Sequence, residues 1–153
     1  MTAIMADDEL LITRRFNAPV ALVFALWSQP QHFKHWLGPK DFDCTHLEMD
    51  FREGGRYRAC ISSSTYGDSW LEGTYRQIVP NQRIVMSFRW TNGEPDPETI
   101  ITITLKADGT QTIQSFHQTP FGDVPRRDSH IAGWNECFDR EQTYLSTQDG
   151  NHA

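Results

Sequence analysis

The chain has 153 residues, 38% of them hydrophobic, and its 20 acidic and 14 basic side chains give a formal charge of −6. That length suits a single domain whose core needs neither disulfide nor metal. The acidic balance, with no basic run beyond Arg14-Arg15 and Arg126-Arg127, argues against nucleic acid and anionic membrane as partners.

Cys44, Cys60 and Cys137 lie far apart and form no C-x-x-C, so they read as reduced, mostly buried thiols rather than a disulfide framework or zinc knuckle. The opening "MTAIMADDEL" has neither the basic nor the apolar region of a signal peptide, and no stretch approaches transmembrane length. A cytoplasmic setting is the expectation.

In chain order, "ELLITRRF" (9–16) predicts a strand. "NAPVALVFALWS" follows as a helix with Asn17 as cap and Pro19 in its first turn, and Val20, Val23, Phe24 and Trp27 share one face. A short second helix restarts at Pro30 and ends at Gly38-Pro39. From there to about residue 118 the pattern changes to the strand-like runs "DCTHLEMDF", "RYRACIS", "SWLEGTYRQIV", "RIVMSFRW", "ETIITITLK" and "TQTIQSFHQ". The breaks "REGG", "STYGD", "PNQ", "TNGEPDP" and "ADGT" suit hairpins, so the sheet should be antiparallel and meandering, with Asp108-Gly109 the clearest turn.

Alternation places Ile84, Met86, Phe88 and Trp90 on one face, and sets Tyr57, Ala59 and Ile61 against Arg56, Arg58 and Cys60. Facing stays open on the strands 43–50, 69–79 and 110–118. On the last of these Phe116 is in phase with Thr112 and Gln114, the mark of either a strand end or a polar group pointing into a cavity. "HIAGWNECFDREQTYL" (130–145) closes the chain as an amphipathic helix with Ile131, Trp134, Phe138 and Leu145 on its stripe. Gly133 costs such a helix about 1 kcal/mol relative to alanine. The expected reason is a close approach of sheet to helix that Gly133→Leu would disrupt; the alternative is a place on the solvent face.

Several groups invite chemical readings. His32 and His35, three apart, could share a metal, although an exposed helix face explains them and no third ligand is apparent. Asp50 and Arg52 bracket Gly54-Gly55, most simply to pin a hairpin. Glu48 and Glu72 could divide acid and base work if their strands are neighbours. His46, Glu72 and His117 are the candidates for a polar anchor inside a cavity. The aromatics Trp36, Tyr57, Trp70, Phe88, Trp90, Trp134 and Phe138 exceed what one helix on one sheet needs, and suit either a solid core or a pocket wall.

The order strand, two helices, antiparallel sheet, long helix resembles the helix-grip fold of the START-like (SRPBCC) superfamily. "APVALVFALWSQPQHFKHWLGPKDF", "MDFREGGRY", "GTYRQIVPNQRIVMSFRW" and the closing Gly-Trp helix are similar to the branch named for activators of the heat-shock-protein ATPase. The resemblance spans about residues 10–146. Leu37 stands where that family often has a second Trp, a change at the mouth of any pocket. The separate N-terminal domain of the eukaryotic co-chaperone is not seen here.

The resemblance implies an α+β fold, in which a curved sheet of six or seven strands grips a C-terminal helix over about 125–146. The ends 1–9 and 147–153 would be flexible. It also implies a cavity for a small hydrophobic molecule, with Trp36, Tyr57, Trp70, Glu72, Met86, Phe88, Trp134 and Phe138 as ligand-binding residues. No metal or nucleotide cofactor is expected. A homodimer and a chaperone partner remain open. Binding is preferred to the alternatives of a polyketide cyclase or hydrolase using a cavity His or Glu, and of a co-chaperone-like interaction domain.

Overall fold

A computed structural model describes residues 6–92 and 97–149. Strand β1 (Leu10–Phe16) is followed by helices α1 (Val20–Ser28) and α2 (Pro30–Phe33). Strands β2 (Asp43–Met49), β3 (Arg56–Ser63), β4 (Gly67–Val79), β5 (Arg83–Trp90), β6 (Thr99–Asp108) and β7 (Gln111–Thr119) then meander into helix α3 (Val124–Asp149). The seven strands form one curved antiparallel sheet in the order β1-β7-β6-β5-β4-β3-β2. Most of the break "TNGEPDP" and both chain ends lie outside the described residues, and α3 continues past the expected end at 146.

Local chemistry explains most boundaries. Asp108 pairs with Gln111, so Gly109 and Thr110 make the β6–β7 turn, and Gly109 takes φ +61°. The Asp50–Arg52 pair, 2.8 Å apart on exposed side chains, pins the β2–β3 turn. The start of α1 differs from the cap expected at Asn17. Pro19, in extended geometry, is the N-cap residue, and its carbonyl accepts the amides of Leu22 and Val23 without a side-chain cap. The buried face of α1 is Leu22, Val23, Leu26 and Trp27, with Val20 and Phe24 at its edge.

The concave face of the sheet carries an aromatic core. Trp27 and Trp36 meet edge-on at 4.7 Å, and Phe116 lies 4.6 Å from Trp134 and 5.2 Å from Phe138. A buried indole N–H needs an acceptor. Strand β7 supplies two from its inward face, where Thr112, Gln114, Phe116 and Gln118 are all buried. Trp27 Nε1 donates to Gln114 Oε1 and Trp134 Nε1 to Gln118 Oε1, each at 2.9 Å. Gln118 Nε2 donates to Thr99 Oγ1 at 2.9 Å, and Trp36 Nε1 to the Leu26 carbonyl at 3.2 Å. The in-phase polar residues of β7 are therefore the sockets that hold α1 and α3 on the sheet.

The close backbone approach expected at Gly133 occurs instead at Gly73 on β4. The Tyr57 ring crosses Gly73 so that its hydroxyl can donate to the Ser87 carbonyl, while the Thr74 amide donates to Ser87 Oγ at 2.9 Å. A Cβ at Gly73 would fall on the Ser87 carbonyl oxygen and 2.6 Å from the Tyr57 hydroxyl. Gly73→Ala should cost about 3 kcal/mol or more, since backbone cannot move aside as a side chain can. Urea denaturation checks this, and an unchanged midpoint would contradict the contact.

Candidate functional site

Between α3 and the sheet, beyond the aromatic core, lies a cleft of about 240 Å³ with three walls. The sheet contributes Ile61, Ser69, Leu71, Phe88 and Trp90; the loop before β2 contributes Leu37, Gly38, Pro39 and Phe42; α3 contributes Ser129, His130, Gly133, Trp134 and Cys137. The walls are mostly apolar because Ile61, Leu71 and Phe88 belong to the inward faces of their strands. Trp134 spends its N–H on Gln118 and so offers the cleft an apolar ring. Phe88 packs edge-on to it at 6.1 Å.

Gly133 lies in this wall, and a Cβ built there meets nothing within 4 Å. The close contact expected there is not found: the glycine is half-buried and leaves open space in the cleft beside Trp134.

A side chain of α3, Arg140, ties the loop wall to the helix. Arg140 donates to the carbonyls of Gly38 at 2.8 Å and Phe42 at 2.6 Å, and to Asp43 Oδ1 at 3.3 Å. A guanidinium suits this task because its fork holds several oxygens at once. At the mouth, Phe42 stacks on the exposed Tyr66 of the β3–β4 hairpin at 5.9 Å.

His130 supplies the polar edge. Its Nε2 accepts from Trp90 Nε1 at 3.2 Å, because an indole N–H can only donate. Phe121 and Phe88 flank the imidazole at 4.9 and 5.9 Å. The other titratable group of the wall is Cys137, whose thiol burial pushes up to about 12, leaving it protonated and a poor nucleophile.

The residues singled out from the sequence divide into three sets. Phe88 and Trp134 line the cleft, as does Trp90 from the wider aromatic list. Trp36, Tyr57, Met86 and Phe138 are buried in the core and are not part of the cleft wall. Trp70 and Glu72 sit on the opposite, convex face, because Ser69, Leu71 and Gly73 take the inward positions of β4. There Arg58 lies over the Trp70 ring at 4.1 Å, and Arg89 reaches Glu72 at 3.5 Å.

The expected polar anchors are also elsewhere. His46 bonds Glu48 at 2.9 Å, and His117 bonds Glu9 at 3.0 Å, where the imidazole holds the Glu9 carboxyl below its usual range. Glu48 and Glu72 are separated by Arg58, which pairs with both in register, so they do not form a carboxylate couple. His32 and His35 both engage Tyr144, by a 2.7 Å hydrogen bond and by ring stacking at 5.0 Å. His130 is the residue that the sequence reading passed over. Its signal is its place at i, i+4, i+7 with Trp134 and Cys137.

A larger hollow of about 410 Å³ lies on the convex face. Glu48, Arg58, Glu72 and Arg89 run across it as a row of alternating charge. Arg89 pairs with Glu72, Arg58 lies over Trp70 and Glu48 bonds His46, the pattern of an exposed charged face. The smaller apolar cleft is therefore the candidate site.

The family described as Activator of Hsp90 ATPase homolog 1-like protein matches residues 17–146. The chain belongs to this family. A crystal structure of a Chromobacterium violaceum protein is 26% identical, with a TM-score of 0.80 over 89% of this chain and 96% of that one. The AHSA1 protein from Silicibacter pomeroyi is 17% identical, with a TM-score of 0.84 over 92% and 99%. One from Nitrosomonas europaea is 19% identical, with a TM-score of 0.81 over 96% and 99%. No curated protein matches the chain. Among the described residues no helix is long and apolar enough to cross a membrane.

Gly133→Ala should raise stability by about 0.5–1 kcal/mol, because it improves helix propensity and meets no neighbour. Thermal unfolding checks the sign. A lower midpoint would place a close contact at Gly133 after all.

Proposed function

We propose that this protein binds a small, uncharged, largely apolar molecule of one or two rings in the cleft between α3 and the sheet. The observation that carries the reading is the open space at Gly133, set among Leu71, Phe88, Trp90 and Trp134. At about 240 Å³ the cleft is smaller than the pockets that bury drug-sized ligands, which sets the size class. His130 with Ser69 and Ser129 would orient one polar group, and among the described residues the lining holds no Asp, Glu, Lys or Arg, which disfavours an ion.

Binding is preferred to catalysis. Among the described residues the titratable groups of the wall are an imidazole whose Nε2 is engaged by Trp90 and a thiol that burial keeps protonated, a poor nucleophile. A co-chaperone-like reading calls for a broad exposed apolar patch. Among the described residues the large apolar side chains left exposed are Leu11 on the edge strand β1 and Tyr66 in the β3–β4 hairpin, well apart in the sheet order.

Indole and naphthalene are suitable probes, with backbone amide shifts as the readout. Perturbations should gather at Phe88, Trp90, His130 and Gly133. Gly133→Leu should remain folded and weaken binding at least about tenfold, equivalent to 1.4 kcal/mol. Equal affinity in the variant, or shifts confined to the convex face, would contradict the proposal.

A further inference from the structure

One turn beyond Cys137, a core position of α3 is held by a carboxyl side chain. Glu141 is fully buried on the stripe that carries Trp134, Phe138 and Leu145. An apolar residue would serve packing there. Its hydrogen bonding follows from the chemistry of its partners. An indole N–H can only donate, so the Gln114 oxygen faces Trp27 and the Gln114 amide nitrogen faces Glu141. That nitrogen donates to Glu141 Oε1 at 3.1 Å. Glu141 Oε2 is buried without a hydrogen-bond partner.

The surroundings offer little to a second charged oxygen. From β1, Arg14 is the cation that acts on Glu141, and its guanidinium is committed to Asp139 at 2.9 Å and the Asn135 carbonyl at 3.0 Å. The inward face of β7 presents neutral Thr112, Gln114 and Phe116, and the buried face of α1 is Leu22, Val23, Leu26 and Trp27. On α2, His32 is bonded to Tyr144. On α3 itself the Cys137 thiol interacts with Glu141, and Arg140 turns away to the loop before β2. A neutral acid is the form this packing accommodates, because an ionised one would have the Gln114 amide as its one hydrogen-bond donor among the described residues and a second buried oxygen without a partner.

We propose that Glu141 is a proton-controlled latch for α3. The neutral acid seats the C-terminal half of the helix on the sheet, and ionisation favours local release of that half together with the cleft wall at Cys137. This device stands independently of which ligand the cleft takes.

The direction follows from linkage. Burial pushes the seated carboxyl up to about 8, whereas a released helix returns it towards 4.5. Seating therefore takes up a proton between those values. It is most favourable below the lower one, weakens by about tenfold per pH unit between them, and levels off above the higher one.

Amide hydrogen exchange of residues 134–146, corrected for its intrinsic pH dependence, reads the latch directly. Between about pH 5 and 8 the opening equilibrium should climb by about tenfold per unit in the wild-type protein and stay flat in Glu141→Gln. Carbon-13 titration of the wild-type side-chain carboxyl should place its midpoint well above the ordinary carboxylate range. Equal slopes in both proteins, or a carboxyl titrating in the ordinary range, would overturn the proposal. If Glu141→Gln does not fold, the wild-type titration decides alone.

Discussion

Two hydrogen bonds organise this molecule: Trp27 to Gln114 and Trp134 to Gln118, each 2.9 Å long and buried. An intramolecular hydrogen bond contributes about 1 kcal/mol net, but a buried N–H left without an acceptor costs roughly 1–3 kcal/mol. The penalty makes the positions specific. Gln114 and Gln118 are spaced four residues apart on one face of β7, so each large indole has one seat. Helices α1 and α3 are thereby fixed against the same strand, and the apolar rings of Trp36, Phe116 and Phe138 close around them.

Fixing α3 at Trp134 divides the space beneath it. Towards the C-terminal end the aromatic rings fill the interval between helix and sheet. Towards the N-terminal end the helix wall is small at Ser129 and Gly133, and the loop held by Arg140 stands across from the sheet. The cleft is what remains when a helix seated by one indole meets a sheet curved away from it. Its apolar character comes from the inward faces of β3, β4 and β5, which would otherwise be core. Glu141 hangs from the same network through Gln114, so the polar chain that seats α1 also reaches into the seat of α3.

Much of this was legible in the sequence. Alternation on "RIVMSFRW" and "RYRACI", helical spacing, and turn residues such as Asp108-Gly109 are local signals, and they fixed the elements and the antiparallel meander. Facing was harder wherever the pattern was mixed. Trp70 and Glu72 were expected inside, yet Ser69, Leu71 and Gly73 point inward, because a shift of one residue exchanges the faces of a strand. Gln114 and Gln118 resemble solvent-facing residues until their tryptophans, 87 and 16 positions away, are placed opposite them. Gly133 was assigned to a contact because a helix glycine suggests one. Its role depends on what lies across the cleft, which helical periodicity cannot reveal. The close contact at Gly73 likewise depends on Tyr57, a residue of the neighbouring strand.

The central claim is that seating α3 through its indole leaves an apolar void beside Gly133. A crystal structure under xenon pressure tests it most directly, since xenon enters apolar space without needing a hydrogen bond. The account predicts a xenon atom between Gly133 and the Phe88–Leu71 face of the sheet. Xenon seated among Trp27, Phe116 and Phe138 instead, or no site beneath α3, would contradict it.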